Sequence, residues 1–255
     1  MFIVIFHIYI ISQIVDILNR YIYIASKKLG FHSTAKAVGF PALKNYNGVE
    51  TFLKRLEGNG DFRSEECISY LNECDVVVTN PPFSLFLDYI FLLLQHKKDY
   101  IIMGNMNAIT NETVFEEIKN GRLRFGDSIR GGDREFRVPP DYPLYATNYR
   151  TDNHGVNYVR VSGVRWFTNL TSTRKKRNLI LYKRYTPEFF PKYDDYNAIN
   201  VDKTEEIPYD YNGMMGVPLS FLDKYNPNQF EIVDIQRLHV DGKALYQRIL
   251  VKHRH

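Results

Sequence analysis

The chain has 255 residues, 44% of them hydrophobic, 24% charged and 15% aromatic, which describes a sizeable buried core and excludes a disordered tail or a collagen-like fibre. Two cysteines, Cys67 and Cys74, cannot build a disulfide framework, and the seven histidines have no close Cys or His partner, so neither a stapled secreted domain nor a zinc module is expected. A reducing, cytoplasmic setting fits. The net charge of only +4 hides a segregation: residues 153–187 contain no acid but carry Arg160, Arg165, Arg174, Lys175, Lys176, Arg177, Lys183 and Arg184, whereas residues 188–236 are dominated by acids. A local basic field beside an acidic one points to a polyanion bound at one place.

In chain order, residues 2–11 are almost wholly apolar before Ser12, Gln13, Asp16, Asn19 and Arg20 interrupt them. The run is shorter than the ~20 residues a membrane span needs. It also lacks the basic start and small-residue cleavage site of a signal peptide. It reads as a buried strand or helix, with a membrane anchor or a wrong start of the reading frame as the alternative. After a polar stretch at 26–60, a short helix is expected at 64–72, and a strand at 75–79, where Val76, Val77 and Val78 are consecutive. An apolar helix is expected at 84–95, a strand at 100–104, and a helix at 112–120 between Asn111 as N-cap and Gly121 as stop. Such alternation predicts an α/β fold with a largely parallel sheet and ligands at the carboxyl ends of its strands. Beyond Gly121 the pattern breaks into short candidate strands at 122–125, 135–138, 158–161, 164–168 and 179–183. The division expected is therefore 1–126 as a catalytic domain, with 1–57 divergent, and 127–255 as an irregular β-rich region.

The residues richest in chemistry are Asn80-Pro81-Pro82-Phe83, directly after the valine strand and before the apolar helix. A planar, conjugated NH2 group is a poor nucleophile because its lone pair is delocalised. The Asn80 side-chain oxygen and the Pro81 carbonyl could each accept one of its N–H groups, positioning the amine and favouring a pyramidal nitrogen as a methyl arrives. The two prolines stiffen the bend. Phe83 offers a face for a base, and such stacking is worth about 1–3 kcal/mol. The plainer reading is an ordinary turn with Phe83 capping the core. Adenine N6, cytosine N4 and a glutamine amide all fit the motif equally well. Upstream, Asp61 is placed to accept from the exocyclic amine of a bound nucleoside with Phe62 beside its ring, or else simply to cap the helix that follows.

The segments GDFRSEEC (60–67), DVVVTNPPFSLF (75–86), GNMNAIT (104–110), WFTNL (166–170) and GMMGVPLSFLDKYNPNQFE (213–231) together resemble the EcoRI-type adenine-specific DNA methyltransferase family, from about residue 58 to the C-terminus. The resemblance implies a Rossmann-like S-adenosylmethionine-dependent methyltransferase sheet and adenine in double-stranded DNA as substrate, methylated at N6 in a restriction-modification role. It implies Asp61 and Phe62 as contacts to the donor's adenine, and Asn80, Pro81, Pro82 and Phe83 as the catalytic and base-stacking bend. Residues 1–30 show no acidic or glycine-containing turn like the one that holds the donor's methionine and ribose in such enzymes. This implies a truncated or altered member, with a catalytically silent remnant that only binds DNA as the alternative function. Methylation of RNA or of a protein glutamine is a third.

A base inside a duplex must be flipped out to reach such a bend, at a cost of a few kcal/mol that phosphate contacts offset. Arg160, Arg165, Arg174, Lys175, Lys176 and Arg177, interleaved with Tyr158, Trp166, Phe167, Tyr182 and Tyr185, are the expected DNA contacts, against the plainer reading of a solvated loop. Neither a metal nor a cysteine nucleophile is implied, Cys67 and Cys74 reading as reduced packing residues. A monomer without membrane contact is expected. The acidic, Tyr-rich stretch 188–236 is expected to do no more than cover the sheet.

Overall fold

The computed structural model describes residues 2–6, 34–38, 50–54, 61–126, 134–138, 149–171 and 177–254. The chain divides into two compact units, residues 1–108 with 126–170 and residues 109–125 with 171–255. In chain order the strands and helices are β1 (Phe2–Phe6), β2 (Thr34–Val38), β3 (Glu50–Lys54), α1 (Glu65–Glu73), β4 (Val76–Asn80), α2 (Phe86–Gln95), β5 (Asp99–Asn105), α3 (Glu112–Lys119), β6 (Arg124–Phe125), β7 (Arg134–Val138), β8 (Tyr149–Thr151), β9 (Asn157–Val161), β10 (Val164–Thr168), β11 (Ala198–Asn200), β12 (Met214–Pro218), β13 (Phe230–Val240) and β14 (Lys243–His253).

In the first unit the sheet runs β3-β2-β1-β4-β5-β10. Its first five strands are parallel, and β10 is antiparallel to β5. All five residues of β4 are buried, as a strand covered on both faces requires. The Ser64 hydroxyl accepts from the Cys67 amide at 3.2 Å and starts α1, which buries Cys67 and Leu71 one turn apart. Cys74 closes that helix with its Sγ 3.1 Å from the Leu71 carbonyl, and both cysteines are free and buried. Helix α2 buries Phe86, Tyr89, Ile90 and Leu93, a single stripe at helical spacing. Where that stripe meets β5, Gly104 leaves room for the Phe86 ring, which packs on Phe167 of β10 at 4.8 Å.

Strand β10 is locked to β5 by side chains as well as by its ladder. Thr168 donates to the Tyr100 carbonyl at 2.6 Å, and Asn169 accepts from the Tyr100 amide and donates to the Lys98 carbonyl, both at 2.9 Å. At the other end Met106 N–H donates to the Gly163 carbonyl and Asn105 donates to Ser162. This pairing carries Val164–Thr168 across the division expected near Asp127, into the sheet of the first unit. The remaining strands of this unit form a separate small sheet in the order β7-β9-β8.

In the second unit Asn111 caps α3 by accepting from the Thr113 and Val114 amides at 3.1 and 3.4 Å, and Gly121 ends it with φ of 71°. A four-stranded sheet follows in the order β11-β12-β14-β13, its long hairpin closed by Asp241 and Gly242, both with positive φ. Its core includes Phe190, Ile199, Met215, Val217, Phe221, Phe230 and Ile249. The acidic stretch is thus a sheet-forming segment in its own right and not merely a cover. Its acids tie down loops, Asp202 reaching Arg248, Asp194 the Gly242 amide and Asp195 His239.

The strand expected at 179–183 does not form. The Gln229 side chain takes both backbone groups of Leu179, at 2.7 and 2.9 Å, and only an isolated bridge joins Lys183 to Pro208. Of the apolar N-terminal run, residues 2–6 form β1, and 7–24 lie outside the described residues.

Candidate active site

Parallel pairing aligns Phe6 with Asn80, so β1 and β4 end together at one carboxyl edge of the sheet. Asn80 is the last residue of β4, which runs one residue further than the strand expected at 75–79. It is 6% exposed. Pro81, lacking an N–H, cannot continue the ladder and is buried. Pro82 turns outward and accepts from the Leu85 amide at 2.9 Å, opening a short 3-10 turn at Phe83–Leu85 that leads into α2. Phe83 therefore stands 39% exposed at the bend, a large apolar ring presented to solvent beside a buried amide.

Asp61 does not cap α1, since Ser64 does so. Its carboxylate is instead gripped by Arg63: the Arg63 amide and Nε reach Oδ1 at 2.9 and 3.1 Å, and Nη2 reaches Oδ2 at 3.1 Å. This hydrogen bonding holds the Asp61 carboxyl below the usual carboxylate range. Phe62 stacks at a tilt on Tyr89 with centroids 4.9 Å apart, and the Arg63 guanidinium lies 5.1 Å from the Phe62 ring centroid. Tyr89 also hydrogen-bonds the Thr79 side chain, and burial pushes its hydroxyl pKa up, keeping it protonated. A chain of contacts thus runs from Asp61 and Phe62 through Tyr89 to Thr79, the residue before Asn80. Sequence reasoning did not single out Arg63 or Tyr89. The available signals were the DFR triplet and the position of Tyr89 on the apolar stripe of α2.

Of the basic residues, Arg160 and Arg177 are exposed, and Arg174, Lys175 and Lys176 lie outside the described residues. Arg165 corrects the expectation. It is 2% exposed, in a strand buried on both faces, and its Nη1 donates to the Val164 carbonyl at 2.8 Å, so it offers no charge to a phosphate. Burial raises the Cys74 thiol pKa, the opposite of what an activated nucleophile needs. Among the described residues no cluster of three or more His, Cys, Asp or Glu side chains is placed to hold a metal ion, and no helix is long and apolar enough to cross a membrane.

The model of the family described as adenine-specific methyltransferase EcoRI matches residues 23–254. The chain belongs to this family. It is 44% identical over 205 residues to Type II methyltransferase M.EcoRI of Escherichia coli, covering 77% of this chain and 63% of the relative. To Type II methyltransferase M.MgeORF184P of Mycoplasma genitalium it is 41% identical over 194 residues, covering 74% and 61%. To Type II methyltransferase M.MpnI of Mycoplasma pneumoniae it is 36% identical over 242 residues, covering 82% and 74%. The match to the first two relatives thus spans somewhat less than two thirds of their length. No solved structure matches the chain. The family match takes in both the Asp61-Phe62 segment and the Asn80–Phe83 bend, as well as most of the second unit.

Proposed function

We propose that this chain transfers a methyl group from S-adenosylmethionine to N6 of an adenine flipped out of double-stranded DNA, as the modification activity of a restriction-modification pair. The observation that carries the reading is the Asn80–Phe83 bend at the carboxyl end of β4, beside β1, with the Phe83 ring turned to solvent. The order 3-2-1-4-5 of the parallel strands supports a doubly wound, Rossmann-like reading of this sheet, in which ligands sit where the strand order reverses. Here the reversal lies between β1 and β4. Asp61 and Phe62 fit the adenosyl part of the donor, because they are partly exposed and set a carboxylate beside an aromatic face.

S-Adenosylmethionine, when bound, supplies a methyl carbon made electrophilic by a sulfonium. The chain does the rest. Phe83 stacks on the extruded base. The Asn80 side-chain oxygen and the Pro81 carbonyl accept from its amine, holding the nitrogen lone pair out of conjugation. The rigid Pro81-Pro82 bend keeps those two oxygens at a fixed separation. Arg160 and Arg177, together with Arg174, Lys175 and Lys176, contact phosphates. A cytoplasmic monomer completes the reading.

The test is radiolabelled methyl transfer by the purified chain to duplex DNA free of adenine methylation, with parallel calorimetric titration of the donor. Label recovered as N6-methyladenine supports the proposal. No label and no heat at millimolar donor, with DNA binding retained, would replace it with a silent DNA-binding remnant. Preferential label in RNA or in protein glutamine would change the substrate class.

A further inference from the structure

The small sheet β7-β9-β8 carries residues that the basic tract by itself does not single out. Its register sets Arg137 of β7 opposite Tyr158 of β9, and Tyr158 opposite Arg150 of β8, in one row across all three strands. The neighbouring row pairs Glu135 with Arg160. Side chains alternate between faces along a strand, so Glu135, Arg137, Arg150, Tyr158 and Arg160 share one face. Val138, Val159 and Val161 fall on the other, where Val138 is 8% exposed.

The contacts agree with this assignment. Arg150 forks onto Glu135, Nε at 3.0 and 3.1 Å and Nη2 at 2.8 Å, while its guanidinium carbon sits 4.6 Å from the Tyr158 ring centroid. Arg150 and Arg160 both draw the Glu135 carboxyl below its ordinary range. In the turn between β8 and β9, Asp152 accepts from the His154 and Val156 amides at 2.9 Å and from the Tyr158 hydroxyl at 3.4 Å. That acid is occupied in shaping the turn. The face bears three exposed guanidinium groups, Arg137, Arg150 and Arg160, against the Glu135 carboxylate and, at its edge, that of Asp152 beside Arg150 and Tyr158.

We infer that this face docks the sugar-phosphate backbone of duplex DNA, with Arg137 and Arg160 as phosphate contacts and Arg150 held in place between Glu135 and Tyr158. Charge complementarity selects the occupant. Guanidinium groups grip phosphate oxygens in pairs, and a planar group already stacked and forked loses little freedom when it binds. Neighbouring strands lie about 4.8 Å apart, so Arg137 and Arg150 on the outer strands stand roughly 10 Å apart, a span comparable with the ~12 Å width of the major groove, which admits β-ribbons. The inference rests on the DNA methyltransferase reading for the identity of the polymer, and it adds Arg137 and Arg150 to the expected contacts.

The test is the salt dependence of duplex-DNA binding by the full chain and by the double variant Arg137→Gln, Arg160→Gln. Donor calorimetry and thermal melting are followed alongside. The double variant should reduce the slope of log K against log salt by about 1.8, at about 0.9 per lost phosphate contact, with melting and donor binding unchanged. Arg137→Lys, Arg160→Lys should restore most of the slope. An unchanged slope in a folded double variant that still binds DNA overturns this surface and leaves the enzymatic reading standing. Failure of the unmodified chain to bind any duplex DNA overturns both. Tighter binding of duplex RNA in competition overturns the choice of polymer.

Discussion

Replacing Phe83 separates the two roles open to an aromatic ring at the bend. The ring is 39% exposed, so about three fifths of it touches protein. Full burial of a Phe side chain is worth about 1.5–3 kcal/mol, which makes the contact worth roughly 1–2 kcal/mol. Phe83→Leu keeps most of it and should cost under about 1 kcal/mol, or about 2–4 °C of melting temperature for a chain of this size. Leucine has no π face, so the base loses a stacking contact of about 1–3 kcal/mol, which lowers kcat/KM for DNA roughly 5- to 150-fold. Phe83→Tyr retains the face and should stay within a few-fold of the parent. The assay is tritiated methyl transfer to unmethylated duplex DNA over a range of DNA concentrations, with a thermal melt of each variant. A Leu variant that transfers methyl groups within two-fold of the parent but melts some 10 °C lower would make the ring a core cap and refute the reasoning.

Asn80→Ala should abolish methyl transfer while leaving DNA affinity within a few-fold in a filter-binding assay; a parallel loss of binding would assign Asn80 a structural role. Gly104→Ala would drive a Cβ into the Phe86 ring, with Cδ2 at 2.6 Å, and Phe86 cannot retreat because it packs on Phe167. Overpacking of this kind costs about 1–3 kcal/mol, visible as an earlier urea midpoint at unchanged slope, and Phe86→Leu in the same chain should recover part of it. Arg63 lowers the Asp61 pKa, so the stabilisation from that pair is present above the unfolded carboxyl pKa and disappears as pH falls through the lower folded value. In Arg63→Gln the Asp61 carboxyl should titrate back up toward the ordinary carboxylate range, measured by carbon-detected NMR, and donor affinity should fall because the carboxylate is no longer aimed. An unmoved titration would mean that the fork does not persist in solution.

The features legible in the chain were those set by neighbours in sequence. Ser64 and Asn111 accept from amides two or three residues ahead, and Gly121 supplies a positive φ, so the helix ends could be read locally apart from the choice of Ser64 over Asp61 as cap. Val76–Val78 mark a strand buried on both faces, and the bend that follows at Asn80–Phe83 is legible as a junction between that strand and an apolar helix. Partnership across the chain was not legible. That Val164–Thr168 joins β5, burying Arg165 and moving residues 126–170 into the first unit, depends on Asn169, Thr168 and Ser162 finding partners some sixty residues away. That Leu179 is held by a glutamine and forms no strand depends on a contact fifty residues distant. Composition placed positive charge in one stretch, but only the register of β7, β8 and β9 decided which arginines share a face. A strand's alternation fixes two faces without saying which one meets water, and that choice is made by whatever packs against it.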